Sequence, residues 1–366
     1  MQVSEILTKA RAGERLTQEE GLFLLQRCEL LDLGSLAAEL RFRHNPEQQV
    51  TFVIDTNPNY SNVCNIDCIF CAFYRHAGEA GEYTYTVDEM IAKFKEAASQ
   101  GVTTILLQGG VHPALPLEYY VEMVKRTVRE VPGVTPHFYS TSEIIGMTQV
   151  SGLTVPQVLR RLWDAGQRSI PGGGAEILSD RVKKKISHLK GTSGDWLGVM
   201  REAHRLGFKS TATMMYGHLE NDEDIIIHLD AIRALQDEYR GFTAFVPWSF
   251  KPGNTPLEKV IPHYATATRY LQMLAIARIY LDNFQHIQAS WFSEGKKTGQ
   301  IALHFGADDF GGTLFEENVH ASANFVNKTN LEECISLIHG AGYSAAQRTT
   351  LYEILKVYPM VQEAAA

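Results

Sequence analysis

Apolar and polar positions along this chain follow two alternating patterns. Short runs rich in β-branched and aromatic residues, such as TFVIDTN and TTILLQGG, predict buried strands, whereas VDEMIAKFKEAASQG has the apolar spacing of an amphipathic helix. The predicted strands lie in segments 48–57, 103–110, 136–140, 168–174, 210–217, 242–248, 286–291 and 307–312. Because these strands alternate with helices, the pattern predicts an α/β fold, a parallel sheet closed into a (β/α)8 TIM-type barrel.

The two ends of the chain depart from this alternation. Residues 1–48 have the pattern of helices, and Thr17 followed by Glu20 predicts a capped helix start. The stretch TNLEECISLIHGAGYSAAQRTTLYEIL also has a helical pattern. We therefore predict an N-terminal helical extension over 1–48, a barrel over 49–320, and a helical segment over 321–366 packed on the barrel.

Composition and charge narrow the class of protein. The chain has 366 residues, of which 45% are hydrophobic and 21% are charged, as is ordinary for a globular protein. Its formal net charge is −8, and its one dense basic run, Lys183 to Lys185, is predicted to be a solvated helix face, so we expect no nucleic-acid partner. No apolar stretch approaches about 20 residues, and the charged N-terminus has no apolar signal core. We expect a cytoplasmic protein without a membrane span.

Three of the five cysteines stand as C-x3-C-x2-C in the run NVCNIDCIFCAFY. Cys64, Cys68 and Cys71 supply three thiolates, which on a cubane iron–sulfur cluster leave one iron open to a small molecule. A four-cysteine electron-transfer cluster has no such open iron. A zinc site usually has four ligands, and His76 could complete one. The missing fourth cysteine favours the cluster, which would also require a reducing compartment.

Polar residues and glycines follow most of the predicted strands. In a barrel the active site gathers at the carboxyl ends of the strands, so these residues are candidates for binding and catalysis. They are Gln108, Gly109 and Gly110 after the second strand, Ser142 and Glu143 after the third, Glu176 after the fourth, His218 after the fifth, Lys251 after the sixth and Asp309 at the eighth. Adjacent glycines allow the backbone to approach a ligand closely.

Seven segments, in order, resemble one enzyme family. They are CNIDCIFCAFYR, ILLQGGVHPALPLEYY, SIPGGGAEIL, TATMMYGHLE, FTAFVPWSFKPGNT, IQASW and FGADDFGGTLFEENV. Together they cover nearly all of residues 50–350 and resemble the cyclic dehypoxanthine futalosine synthase family of the radical S-adenosylmethionine superfamily, which serves the futalosine route to menaquinone. Aminofutalosine synthase and the two halves of deazaflavin (FO) synthase share much of this pattern.

The resemblance implies cofactors and a reaction. Cys64, Cys68 and Cys71 would hold a [4Fe-4S] cluster, and S-adenosylmethionine would be bound by Phe70, Gln108, Gly109, Gly110, Ser142, Glu143 and Glu176. A 5'-deoxyadenosyl radical would remove the C4' hydrogen from the ribose of dehypoxanthine futalosine. The carbon radical would add to the benzoate-bearing ring, and loss of an electron and a proton would leave a spirocyclic product. Flavodoxin or ferredoxin would donate the electron.

The remaining roles are hypotheses. A guanidinium fork or an ammonium group suits a carboxylate, so the candidates for binding the benzoate are Arg75, Arg168 and Lys251. The candidate catalytic residues are Glu176 and, as acceptors of the final proton, His218 and Asp309. Two alternatives stay open. One is the activity of aminofutalosine synthase or FO synthase, and the other is a non-catalytic iron–sulfur or zinc protein.

Overall fold

The computed structural model of the protein describes residues 1–360. The strands, in chain order, are β1 (Gln49–Val53), β2 (Asp55–Thr56), β3 (Thr104–Leu107), β4 (Thr135–Phe138), β5 (Ser169–Ile170), β6 (Lys209–Tyr216), β7 (Phe242–Ser249), β8 (His286–Ile287), β9 (Asp309–Gly312), β10 (Ser344–Arg348) and β11 (Ile354–Tyr358). The helices are α1 (Val3–Arg11), α2 (Gln18–Arg27), α3 (Leu30–His44), α4 (Val87–Ser99), α5 (Leu117–Glu130), α6 (Thr141–Ser151), α7 (Val155–Asp164), α8 (Asp180–Ile186), α9 (Ser193–Leu206), α10 (Asp222–Tyr239), α11 (Ala267–Tyr280), α12 (Trp291–Glu294), α13 (Lys296–Ala302), α14 (Val319–Ser322) and α15 (Leu331–Gly340). No helix among these residues is both long enough and apolar enough to cross a membrane.

Parallel strands form a ring, as predicted. β2 to β8 make one parallel sheet in chain order, and β1 continues into β2 with only Ile54 between them. β9 pairs in parallel with β1, and an isolated bridge between Gln288 and Asp309 connects it to the end of β8. The eight predicted strands are therefore present, the first of them split into β1 and β2, and the α/β barrel fold is confirmed.

The N-terminal helices cover one side of this ring. Thr17 and Glu20 form the predicted capping box at the start of α2, each accepting a hydrogen bond from the backbone of the other. α2 packs against α10, and α3 packs against α11. Leu33 and Leu36 of α3 are fully buried there, so the extension shares the hydrophobic core of the barrel.

The C-terminal segment differs from the helical prediction for 321–366. Only α14 and α15 are helical; β10 and β11 follow, and residues 361–366 lie outside the described residues. α15 ends at Gly340, and Gly342 adopts a left-handed φ of 85° that turns the chain back. β10 then pairs in parallel with β1, at Gln49 to Phe52. This pairing joins residues almost 300 positions apart, and local periodicity cannot reveal it.

Two adjacent buried carboxylates mark the start of β9. Asp308 pairs with the buried Arg278 guanidinium of α11 and accepts hydrogen bonds from His286 at 2.5 Å and from the Ile287 backbone at 2.8 Å. Burial alone would raise the pKa of Asp308, but Arg278 and His286 outweigh it and hold that pKa below its ordinary 3.8. The pair attaches α11 to the seam between β8 and β9.

We expect Asp308→Asn to lower the free energy of unfolding by about 3–5 kcal/mol, because it leaves the Arg278 guanidinium buried without an anionic partner. Urea unfolding at neutral pH measures this. The control is Asp282→Asn, since Asp282 pairs with Arg15 at 2.9 Å on the surface and should cost less than about 1 kcal/mol. Equal losses in the two variants would contradict the prediction.

The same pair predicts a pH dependence. A carboxylate with a lowered pKa stabilises the fold above its unfolded pKa, and this contribution disappears as the pH falls through the folded value. The difference between wild type and Asp308→Asn should therefore be complete above about pH 4 and narrow in stronger acid. A difference that stays constant to the lowest pH at which the protein folds would contradict this account.

Candidate active site

A cavity of about 340 Å³ runs from the cysteine loop into the lumen of the barrel. TIM barrel interiors are usually filled by layers of Val, Ile and Leu side chains. Here most of the exposed wall is apolar, but many lining side chains carry polar groups; they include Asp55, Asn57, Thr104, Gln108, His137, Thr211, Thr213, Gln288, Arg348 and Thr350. An open, mainly apolar lumen with several polar groups is the architecture of a ligand site rather than of a packed core.

Backbone contacts hold the cysteine loop at the mouth of this cavity. Phe70 and Cys71 line the cavity, whereas Cys64 and Cys68 do not. The Cys64 sulfur accepts backbone N–H groups from Ile66 at 3.4 Å and from Val111 at 3.3 Å. Two N–H donors aimed at one sulfur are suited to a thiolate that carries negative charge.

Gly109 and Gly110 are required by close packing against this loop. A Cβ atom on Gly110 would collide with the carbonyl oxygen of Val63, directly before Cys64. A Cβ atom on Gly109 would lie 2.6 Å from the Tyr60 ring. Gly109 lines the cavity and Gly110 does not. The glycine pair therefore sets how closely the cysteine loop approaches the end of β3.

Glu143 holds the backbone at Gly109 in place. Its carboxylate accepts hydrogen bonds from the Tyr60 hydroxyl (2.9 Å), the Gly109 backbone (3.1 Å), and the backbone and hydroxyl of Ser140 (2.7 and 2.6 Å). A carboxylate has about four acceptor sites, so all of them are used. Burial outweighs these bonds and raises the pKa of Glu143 to about 7. Glu143 lines the cavity and its bonds position the Gly109 backbone, and its role as a ligand of S-adenosylmethionine stays a prediction.

Glu176 belongs to a buried charge cluster beside the cysteine loop. It pairs with Lys190 at 2.7 Å and with Lys183 at 3.5 Å. Burial would raise the pKa of Glu176, but the two lysines outweigh it and keep that pKa low. The Lys190 ammonium also lies 5.5 Å from the centre of the Phe70 ring. Glu176 and Lys190 line the cavity and together form the charged part of its wall near the cysteines.

Lys183 corrects one expectation. We predicted Lys183 to Lys185 to be a solvated face, but Lys183 is only 1% exposed and donates to the carbonyl of Gly174 at 2.8 Å. Lys184 and Lys185 are exposed, as predicted. The sequence pattern of α8 does not predict this burial. A lysine is buried only with an acidic partner, here Glu176, and the sequence of the helix does not indicate that pairing.

The glycine run after β5 completes this side of the cavity. A Cβ atom on Gly173 would collide with the amide nitrogen of Gln108, and one on Gly174, whose φ is 90°, would lie 2.7 Å from the Ser142 hydroxyl. Gln108, Gly173 and Gly174 line the cavity, and Ser142 does not. The glycine run after β5 therefore meets the segments that follow β3 and β4, and Ser142 lies behind the cavity wall.

The residues at the mouth fit an iron–sulfur cluster and S-adenosylmethionine. Three thiols stand in one loop, hydrogen-bond donors face the Cys64 sulfur, and the glycines that follow keep the wall beside them free of side chains. Cys64, Cys68 and Cys71 would hold the cluster, and Phe70, Gln108, Gly109 and Glu176 would contact the sulfonium ligand. Within residues 1–360, no group of three Cys, His, Asp or Glu side chains converges on a single metal-ion position.

His218 and Asp309 lie outside the cavity wall. The Nε2 atom of His218 lies 3.0 Å from the Met215 carbonyl oxygen, and its Nδ1 atom lies 3.2 Å from Glu220. The carboxylate of Asp309 binds Arg348, the Thr51 hydroxyl at 2.6 Å and the Gly311 backbone at 2.8 Å. Their placement does not support the roles in proton transfer that we expected.

The three residues expected to bind a benzoate are also absent from the wall. The Arg75 guanidinium donates to the carbonyls of its own loop. Arg168 stacks 3.9 Å from the Trp163 ring, next to the amino end of β5. Lys251 donates to the Ser249 hydroxyl at 2.6 Å and lies over the Phe325 ring.

An aromatic wall and a second cation line the cavity without having been assigned a role from the sequence. Trp248, Phe292 and His320 line the cavity, and the imidazole of His320 stacks on Phe292 with ring centres 5.5 Å apart. Burial lowers the pKa of His320 to about 3, so it is neutral near pH 7. Arg348 lines the cavity from β10, which was predicted as helix. Trp248 ends a predicted strand and Phe292 follows the next one, and this position is the sequence signal for a place in the cavity wall.

Comparisons with known proteins agree with this geometry. A family model described as the radical SAM superfamily matches residues 59–232, and one described as the CofH/MqnC C-terminal region matches residues 239–361. The solved structure of methylornithine synthase is similar, with a TM-score of 0.72 at 18% identity over 92% of this chain and 96% of that one. At that identity the likeness concerns the fold alone.

Three relatives match almost the whole chain. Cyclic dehypoxanthine futalosine synthase of Halalkalibacterium halodurans is 38% identical, over 98% of this chain and 96% of its own length. Aminodeoxyfutalosine synthase of Thermus thermophilus is 37% identical, over 98% and 97%. The 5-amino-6-(D-ribitylamino)uracil–L-tyrosine 4-hydroxyphenyl transferase of Methanoculleus marisnigri is 40% identical, over 96% and 97%. These matches confirm the resemblance seen in the motifs, and the chain belongs to the cyclic dehypoxanthine futalosine synthase family of radical S-adenosylmethionine enzymes.

Proposed function

We propose that this enzyme cyclises dehypoxanthine futalosine in the futalosine pathway. The observation that carries the proposal is the continuity of the cavity, which joins Cys71 and Phe70 to a lumen with polar groups in its wall that is large enough for a small molecule. Membership of the family supplies the substrate class. When bound, the cluster and S-adenosylmethionine supply a 5'-deoxyadenosyl radical that can take the C4' hydrogen of the substrate's ribose. The net result is one new carbon–carbon bond and the loss of two hydrogen atoms.

The residues of this chain bind, orient and exclude water. Gly109 and Glu176 form the wall next to Phe70 and Cys71, where the sulfonium ligand would contact them. Trp248 and Phe292 cover the opposite wall with aromatic surface. Such a wall keeps water and other hydrogen donors from a reactive carbon centre, and a fixed pose brings the reacting atoms into contact.

A sister activity is the second candidate. The relatives named aminodeoxyfutalosine synthase and 4-hydroxyphenyl transferase are as similar to this chain as the cyclase relative, at 37% and 40% identity against 38%. Overall identity therefore does not choose the substrate. Which substrate the enzyme accepts depends on the residues that face the substrate, and an activity assay identifies it.

We expect the anaerobically reconstituted enzyme, given dithionite and S-adenosylmethionine, to convert dehypoxanthine futalosine to a product two hydrogen atoms lighter. Mass spectrometry should show an equal amount of 5'-deoxyadenosine. Parallel reactions contain the substrates of the two sister enzymes. If 5'-deoxyadenosine forms while dehypoxanthine futalosine stays unchanged and a sister substrate is converted, the enzyme has the sister activity instead of the proposed one. A loaded cluster that yields no 5'-deoxyadenosine would favour a non-catalytic metal protein. Flavodoxin or ferredoxin, the proposed physiological donors, can then replace dithionite.

Gly110→Ala should reduce cluster loading, because the added Cβ atom would push the Val63 carbonyl and with it the loop that begins at Cys64. Iron and sulfide content after reconstitution measure this, with circular dichroism as the test of folding. Gly198→Ala is the matched control, since a Cβ atom there has no neighbour within 4 Å. Full loading of Gly110→Ala would show that the close approach at Gly110 is not needed to hold the cluster.

A further inference from the structure

The far end of the cavity is closed by the C-terminal segment. Arg348 at the end of β10 binds Asp309 at the start of β9. In the turn that follows, the hydroxyl of Thr350 lies 2.6 Å from that of Thr104 at the start of β3. The turn therefore connects the amino ends of β9 and β3, the two strands that flank β1 and β2. We call Arg348, Thr350 and Tyr352 the cavity floor, since all three line the cavity.

The guanidinium of Arg348 is held in one orientation. Its Nε and one terminal nitrogen donate to the two oxygens of Asp309, and the other terminal nitrogen donates to the Thr349 carbonyl at 3.1 Å. The Tyr352 ring covers one face at 3.9 Å. A guanidinium has five N–H groups, so two of them, one on each terminal nitrogen, have no partner among residues 1–360. Guanidinium N–H groups are strong hydrogen-bond donors to carboxylate oxygens.

The charges on the cavity wall leave few alternatives for an anion. Lys190 and Arg348 are the only lysine or arginine side chains of the described residues that line the cavity. Lys190 is paired with Glu176 near the cysteines. Burial lowers the pKa of His137 to about 3, so its imidazole is neutral. Arg348 is paired as well, with Asp309, but it keeps two N–H groups without a partner among the described residues and lies away from the cysteines. It is therefore the cation that can still donate to a ligand deep in the lumen.

We propose that Arg348 binds the benzoate carboxylate of the substrate at the cavity floor and thereby sets which end of the molecule enters the barrel first. This inference rests on the proposed function and names the residue that recognises its substrate. The aromatic ring would pack against the apolar part of the lumen wall, formed by Val53, Leu106 and Val246. The ribose then remains nearer the cysteine loop, where its C4' hydrogen must be.

Asp55, a carboxyl group elsewhere in the cavity wall, does not prevent Arg348 from binding a carboxylate. Asp55 lines the cavity and accepts the Leu314 backbone N–H at 2.7 Å. Burial raises the pKa of Asp55 to about 6, against the opposing effects of that bond and of Arg348. An incoming carboxylate raises it further by repulsion, so Asp55 can take up a proton instead of repelling the ligand.

The test compares dehypoxanthine futalosine with its carboxamide analogue, in which the benzoate carboxylate is replaced by an uncharged group of the same shape. Binding to the reconstituted enzyme with S-adenosylmethionine is measured by calorimetry without reductant, so that no turnover occurs. We expect the wild-type enzyme to bind the acid about tenfold to a hundredfold more tightly than the amide, as for hydrogen bonds to a charged group. Arg348→Gln should bind the two with similar affinity.

Arg278→Gln is the matched control, because Arg278 forms a buried pair with Asp308, the neighbour of Asp309, but does not line the cavity. It should keep the wild-type preference for the acid even if it lowers stability. If Arg348→Gln does not fold, Arg348→Lys takes its place, because it retains a positive charge beside Asp309. A lysine lacks the planar guanidinium, so the preference of this variant for the acid over the amide should fall severalfold.

The outcomes separate this inference from the proposed function. A wild-type enzyme that cyclises dehypoxanthine futalosine but binds acid and amide equally overturns the role of Arg348 alone. The same holds if Arg348→Gln, or Arg348→Lys in its place, keeps the full preference for the acid. An enzyme that neither binds nor cyclises dehypoxanthine futalosine overturns the proposed function and this inference with it.

Discussion

Two neighbouring carboxylates buried at the start of β9 determine how this barrel is closed. A charge removed from water costs several kcal/mol unless a partner compensates it, and Asp308 and Asp309 have separate partners. Arg278 brings the helix α11 to Asp308, and Arg348 brings the C-terminal strand β10 to Asp309. One pair attaches the outer helical layer to the seam of the ring, and the other attaches the segment that closes its lower end.

The lumen can stay open because the ends of the barrel are built in different ways. At the mouth, glycines let backbone pack on backbone, so Gly110 fits against Val63 at the start of the cysteine loop. At the floor, charged and hydroxyl groups satisfy one another, as in the pair of Thr104 with Thr350. The strands between them are held by helices outside the ring, which leaves their inward side chains available to a ligand.

Local sequence pattern predicted the ring and the cysteine loop, and failed where a residue's role depends on distant partners. The eight strands and the capping box at Thr17 follow from periodicity and neighbouring residues. β10 was missed because its strand character comes from pairing with β1, almost 300 residues earlier. Lys183 was expected in solvent because its partner Glu176 lies in the loop between β5 and α8, outside the helical pattern. Asp309 lies in a predicted strand, but its carboxylate is used by Arg348, a contact that no spacing reveals.

The cavity of this chain divides between the two matched family models. The radical SAM match covers 59–232 and contains the cysteine loop, Gly109 and Glu176, whereas the C-terminal match covers 239–361 and contains Trp248 and Arg348. We propose that the residues beside the cysteines serve radical formation and that those of the far wall and floor contact the substrate. A few substitutions there can change the substrate while most of the chain is retained, because only the side chains that face the lumen touch it. Specificity in this enzyme should therefore be sought at the floor.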